Sequence, residues 1–212
     1  MKDFPEQGSD EWLQQRVGMV TASRISDMLA KGKGGAPSRS RENYKAELVA
    51  ELLTGKRAEQ EFTTKEIEWG NEQEAVAVAQ YGFMHDAKPV ECGFIQHPNI
   101  ERAGASPDRL IGDDGLIELK CPKTATHIDT MLSKTQTIPK GYRDQMHFQM
   151  ACTGRQWCDY VSFDPRLPAK FQLWVQRVER DDDYIAEMNE AVEVFLAEID
   201  DTIAAMHKAI SA

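Results

Sequence analysis

Gly104-Ala105-Ser106-Pro107-Asp108-Arg109, then an Asp113-Asp114-Gly115 turn, then Leu116-Ile117-Glu118-Leu119-Lys120-Cys121-Pro122, is the stretch whose reading decides the fold. Successive side chains of a strand point to opposite faces, so residues 116–120 put Glu118 and Lys120 on one face and Ile117 and Leu119 on the other. An Asp-Asp-Gly turn between extended runs signals a hairpin, which brings Asp108 back beside the Glu118/Lys120 face. An Asp, a Glu and a Lys converging on one spot suit metal-assisted hydrolysis of a phosphodiester. The carboxylates hold a Mg²⁺, the metal lowers the pKa of a bound water, and Lys120 orients or deprotonates that water or stabilises the pentacovalent charge. The plainer alternative is a turn aspartate followed by the solvent face of an edge strand. Two features weigh against it: Ser-Pro-Asp precedes Glu-Leu-Lys-Cys-Pro, and a third carboxylate, Glu74, falls on an apolar helix face. A buried carboxylate needs a partner such as a metal or its water; the competing reading of Glu74 is a surface pair three or four residues along its own helix.

Outward from this stretch, periodicity predicts a mixed α/β chain. Ser9 caps a helix with acids in its first turn that ends near Gly18. A short helix follows, capped by Thr21 or Ser23, with Ile25, Met28 and Leu29 as its stripe and Gly32 at its C′ position. Residues 31–41 (KGKGGAPSRSR) read as a mobile basic loop. Tyr44, Leu48 and Leu52 mark a helix ended by Gly55, and residues 64–81 a longer one with Ile67, Glu74, Val78 and Tyr81 on one face. Short β-like runs follow at 90–96, 100–105, 115–120, 159–163 and 171–178, which together are expected to form the central sheet. Residues 139–152 read as a helix carrying Tyr142, Gln145, Met146, Gln149 and Met150. Tyr184 to Ile210 define a long amphipathic helix of about eight turns. Trp157 and Trp174 read as core.

A chain of 212 residues, 41% hydrophobic and 28% charged, is expected to be one domain, residues 1–212. No apolar run approaches the ~20 residues of a membrane span, and residues 1–6 lack a signal-peptide core, so a cytoplasmic protein without a membrane partner is expected. Its four cysteines form no C-x-x-C, which argues against a disulfide framework or a zinc knuckle. The net charge of −10 speaks at first against nucleic acid, but residues 179–212 alone carry −8. Residues 16–57 carry +5 and residues 120–143 carry +4, and a polyanion could bind these while the acidic tail points away.

Taken together these residues resemble the PD-(D/E)xK nucleases, whose signature stands here as Pro107-Asp108 with Glu118-Leu119-Lys120. The chain is similar to the phage lambda exonuclease, or YqaJ-type viral recombinase, branch. The shared landmarks are Trp12-x₃-Arg16-x-Gly18-x₂-Thr21-Ala22-Ser23, Trp69-Gly70-x₃-Glu74, Ser106-Pro107-Asp108, Glu118-Leu119-Lys120-Cys121-Pro122, Tyr142-x₂-Gln145 and the late Asp164-Pro165-Arg166. The resemblance implies a restriction-endonuclease-like core, a central mixed β-sheet flanked by helices with a long C-terminal helix. It also implies a Mg²⁺-dependent exonuclease, with Mn²⁺ as a substitute, that degrades the 5′-ended strand of linear duplex DNA. The product is a 3′ overhang for a single-strand annealing protein, and the enzyme is a homotrimeric ring. Asp108, Glu118 and Glu74 would be metal ligands and Lys120 would act at the nucleophilic water. Arg16, Thr21 and Ser23, with Ser106 and Gln145, would contact the 5′-phosphate or the DNA. The family's Gln-x-Gln is here Gln145-Met146-His147, so His147 is either a substitute or a packed core residue. Competing readings are an endonuclease of the same superfamily, or a non-catalytic DNA-end-binding module using the basic loop. An iron–sulfur exonuclease is disfavoured because Cys92 and Cys121 stand 29 positions apart.

Overall fold

The computed structural model describes residues 4–58, 65–133 and 138–211. In chain order its first elements are α1 (Asp10–Gln15), β1 (Val20–Thr21), a 3₁₀ turn Ala22–Arg24 running into α2 (Ile25–Leu29), α3 (Arg39–Thr54) and α4 (Lys65–His85). Next come β2 (Pro89–Val90), β3 (Ile95–Gln96), β4 (Ala103–Ala105), β5 (Arg109–Ile111) and β6 (Gly115–Lys120). The chain continues with α5 (Thr124–Leu132), α6 (Lys140–Thr153), β7 (Trp157–Phe163), β8 (Leu173–Glu179) and α7 (Asp182–Ile210).

The Asp-Asp-Gly turn makes the expected hairpin: β5 and β6 pair antiparallel, with Arg109 opposite Ile117 and Ile111 opposite Gly115. β6 then runs parallel to β7, and a parallel pair needs a long crossover, which here holds α5 and α6. β8 and β2 close the two edges, giving a mixed sheet of order β2-β5-β6-β7-β8. One face, through Leu116, Cys158 and Tyr160, packs against Ile25, Met28, Tyr44, Met146, Val192 and Phe195 from α2, α3, α6 and α7. The other, through Ile117, Leu119, Val161 and Phe163, packs against Ala77 and Tyr81 of α4. Helices therefore flank both faces, and burying each of these large side chains contributes about 1.5–3 kcal/mol. The side chain of Asp181 accepts from the Tyr184 N–H at 3.0 Å and caps α7, whose buried stripe runs from Ile185 to Ile199; Ile210, at its end, is exposed.

Several expectations are corrected. The extended runs do not form one sheet: β1, β4 and β3 make a separate three-stranded sheet, and the run at 90–96 is broken at residues 91–94, with its two ends in different sheets. α4 continues through Gly82 to His85; a Cβ at Gly82 would lie 3.0 Å from the Ala87 carbonyl, so the glycine is there for the close return of the chain. Gly32 has φ −82° and is no left-handed cap. Thr21 makes no side-chain cap. The basic stretch is loop only up to Ser38, whose hydroxyl caps α3, so Arg39 and Arg41 are helical. Leu52 is more than a third exposed rather than core. Neither tryptophan is fully core: Trp174 is partly buried and packs edge-on to Tyr160, and Trp157 is partly buried with the Arg177 guanidinium 3.5 Å above its ring. Thr64 and the side chain of Ile67 lie outside the described residues.

The four cysteines are free, and burial pushes the thiols of Cys92 and Cys121 up to about 11 and about 12. Burial holds the thiols of Cys152 and Cys158 higher still. Among the described residues no helix is long and apolar enough to cross a membrane.

Candidate active site

β6 delivers Glu118 to the face covered by α6, where its side chain has no solvent exposure. A buried carboxylate is tolerated only when its lone pairs are satisfied. Three groups do this: the Lys120 ammonium and the Gln145 amide on Oε1 (the latter at 2.8 Å), and the Gln149 amide on Oε2 at 2.6 Å. Asp108, just before β5, turns its carboxylate to accept from the Leu119 N–H at 2.6 Å. The hairpin thus brings Asp108, Glu118 and Lys120 together as the alternation predicted. Burial, and then the neighbouring Glu118, push the Asp108 carboxyl up to about 8. Burial alone would lower the Lys120 pKa, but Glu118 and Asp108 outweigh it and hold the side chain as an ammonium. That ammonium lies 5.2 Å from the centre of the Tyr142 ring.

Gln149 is the residue sequence reasoning passed over. It lies four positions after Gln145 and so on the same helical face, whereas His147, two positions on, is rotated by about 200°. His147 is a core residue: it is buried and meets the Tyr184 ring edge-on, with centroids 5.3 Å apart. The signal that could have found Gln149 was the i, i+4 spacing itself.

Glu74 is placed differently from expectation. Its side chain is 32% exposed and receives the Arg109 guanidinium at 2.6 Å, so it is not a buried carboxylate in want of a cation. Nor is its partner on its own helix; it comes from the residue after Asp108. The same guanidinium reaches Glu91 at 3.3 Å. Among the described residues no three His, Cys, Asp or Glu side chains gather as one ligand set. Asp108 and Glu118 meet at Lys120, and Glu74 stands near enough for its charge to add to the upward push on the Asp108 carboxyl.

The proposed anion-binding residues also converge. Arg16 donates to the Ser23 hydroxyl at 3.2 Å, which lies 3.3 Å from the Thr21 hydroxyl, and the Arg16 guanidinium stacks 3.9 Å over Trp12. The Trp12 indole N–H donates to the Ser106 hydroxyl at 2.9 Å, two residues before Asp108. α1 thereby ties the arginine cluster to the carboxylate segment. Beside it lies a small cleft of about 40 Å³ bordered by Arg16, Thr21, Arg24 and Arg57 as well as Glu47 and Glu51. Gln145 sits on Glu118 rather than with this cluster.

A mixed sheet whose β5–β6 hairpin brings an Asp, a Glu and a Lys together is shared with solved exonucleases, and the chain belongs to the YqaJ-like viral recombinase family, whose domain profile matches residues 11–156. It is similar to an alkaline exonuclease from Laribacter hongkongensis (LHK-Exo), with 44% identity over 96% of this chain and 98% of that one and a TM-score of 0.86. The dAMP complex of LHK-Exo matches with 45% identity, the same coverage and a TM-score of 0.87. A phage related exonuclease from Haemophilus somnus 129PT shares the fold, at 18% identity, with a TM-score of 0.71 over 89% of this chain and 96% of that one. A curated relative, the uncharacterized protein R354 of Acanthamoeba polyphaga mimivirus, is 26% identical over 169 residues, or 74% of this chain; the chain spans 29% of that protein's length.

Proposed function

We propose that this chain is a Mg²⁺-dependent exonuclease that degrades the 5′-ended strand of linear duplex DNA, leaving a 3′ overhang for a single-strand annealing protein. The observation that carries the reading is the convergence of Asp108, Glu118 and Lys120 at one point of a chain 44% identical to an alkaline exonuclease. The donor set suits a hard divalent cation, since the groups that meet at Lys120 are two carboxylates. Asp108 supports the fit, since a carboxyl pushed up to about 8 by burial and by Glu118 is one whose ionised form needs more positive charge than Lys120 supplies. Asp108 and Glu118 would hold the cation, with Glu74 at the margin through Arg109. When bound, Mg²⁺ supplies Lewis acidity toward the phosphate and a water of lowered pKa. Lys120, being an ammonium, orients the attacking water and offsets developing phosphate charge rather than removing a proton. Gln145 fixes Glu118, and Arg16 with Thr21 and Ser23 receives the terminal 5′-phosphate as a bidentate, charge-assisted contact.

Linear duplexes with 5′-phosphate or 5′-hydroxyl ends, incubated with Mg²⁺, Mn²⁺ or EDTA, test this. Release of 5′-mononucleotides from linear but not closed-circular DNA, abolished by EDTA, supports it; cutting of closed circles indicates an endonuclease, and binding without hydrolysis an end-binding module. Processive digestion requires a lasting grip, which a homotrimeric ring around the duplex provides.

A further inference from the structure

We infer that Gln149 is a positioning residue for the metal-binding carboxylate: its amide, fixed from behind by Cys158, sets the orientation in which Glu118 meets the divalent cation. This rests on the metal-dependent reading above. Glu118 has two oxygens, and on Oε1 it already receives both Lys120 and Gln145. Those two contacts leave the carboxylate free to pivot about Oε1. Gln149 removes that freedom by donating to Oε2 at 2.6 Å from the next turn of α6. Its own orientation is defined as well, because an amide can flip and present its oxygen instead of its NH₂. Here the Cys158 thiol, on β7, approaches the Gln149 carbonyl oxygen at 3.9 Å, so the oxygen faces β7 and the NH₂ faces Glu118. Glu118, Gln149 and Cys158 all have no solvent exposure, so water has no access to replace any of them. Three elements, β6, α6 and β7, thus hold one carboxylate at both oxygens. Partners that hold a metal ligand in place are typically worth about 10–100-fold in metal affinity.

The test is calorimetric Mn²⁺ binding to the protein without DNA, for wild type and Gln149→Met, which keeps the side chain's length and removes its donor. The expected result is a roughly 10–100-fold weaker Mn²⁺ affinity in the variant. Its half-maximal Mg²⁺ concentration for nuclease activity should rise in parallel, the KM for DNA should be unchanged, and its metal-free melting temperature should stay within a few degrees of wild type. Equal Mn²⁺ affinities overturn the inference. Should Gln149→Met fail to fold, Cys158→Ala serves instead: it leaves the amide free to flip and should weaken Mn²⁺ by about two- to fivefold, the scale of one modest hydrogen bond. Unchanged affinity there also overturns it. Wild type that binds no Mn²⁺ removes the metal reading itself, an outcome distinct from wild type and variant binding equally.

Discussion

Glu118 shows how a single residue sets the terms for its surroundings. A fully buried carboxylate survives folding because one ammonium and two amides meet it; the ammonium carries the compensating charge and the amides satisfy the remaining lone pairs. Asp108→Ala and Glu118→Ala should each reduce nucleotide release at least about a hundredfold while circular dichroism shows the fold retained. Lys120→Ala should cost about 10²–10³ in rate, the scale of a lost charge-stabilising donor, with a smaller effect on Mn²⁺ affinity. Near-normal rates in Asp108→Ala would remove it from the site. Because the metal-free Asp108 carboxyl is pushed up to about 8, it holds a proton below that pH and releases it above. A cation must displace that proton, so Mn²⁺ affinity should rise with pH up to about 8 and level off beyond, falling about tenfold per unit below. Calorimetry across pH 6.5 to 9 reads this directly. Arg16→Ala should slow digestion of 5′-phosphate ends more than 5′-hydroxyl ends; equal slowing would make Arg16 a scaffold for Trp12. At this scale the sequence was legible where alternation or a motif carries a residue, as for Asp108, Glu118 and Lys120. It was opaque where a partner comes from afar: nothing local announces that Arg109 belongs to Glu74, 35 positions away.

Elements long enough to express a period, β6, α6 and α7, are readable from sequence, while β1 and β5, of two and three residues, carry no alternation to detect. Their pairing comes from neighbours, β4 for one and the Asp-Asp-Gly turn for the other. The first residue of β6 shows how tightly β6 and β7 are fitted. A Cβ on Gly115 would fall 2.1 Å from the Trp157 ring, over which the Arg177 guanidinium lies at 3.5 Å. Gly115→Ala should therefore lower stability by about 1–3 kcal/mol in chemical denaturation, by overpacking. α6 also carries a pH response. Burial lowers the pKa of His147, and of His97, which stacks on Phe148 at 5.8 Å. The unfolded chain takes up protons near pH 6.5 where the native one does not. Stability is thus complete above about 6.5 and drains as the pH falls toward the folded values, by at most about 1.4 kcal/mol per unit for each histidine. Melting temperatures from pH 7.5 to 5 should show this acid limb, and His147→Phe should make it shallower; an identical limb would assign it to other groups.

Over the whole molecule, the net charge of −10 is distributed differently from a basic groove with an acidic tail pointing away. α7 lies against the basic segment: Glu198 receives Arg41 at 2.7 Å and approaches Lys45 at 3.6 Å, while Arg102 meets Asp200 at 2.6 Å. Arg24 is engaged by Asp27 and Glu47. Part of the +5 segment is therefore neutralised within the protein; in the proposed trimer a DNA-facing lining would come from several copies acting together. Sedimentation equilibrium should give a mass near three times 23.9 kDa; a single-chain mass unchanged by DNA would reject the ring. Loading should weaken steeply with salt through counterion release. The four sheltered cysteines, finally, make the protein suited to fluorescence labelling. With the two lowest native thiols at about 11 and about 12, fewer than roughly one in a thousand is thiolate at pH 7.5, and only the thiolate attacks a maleimide. A cysteine introduced at the exposed Ser211 should take up dye alone, giving one adduct by intact mass where wild type gives none. Digestion could then be followed one molecule at a time without removing a native residue, Cys158 behind Gln149 included.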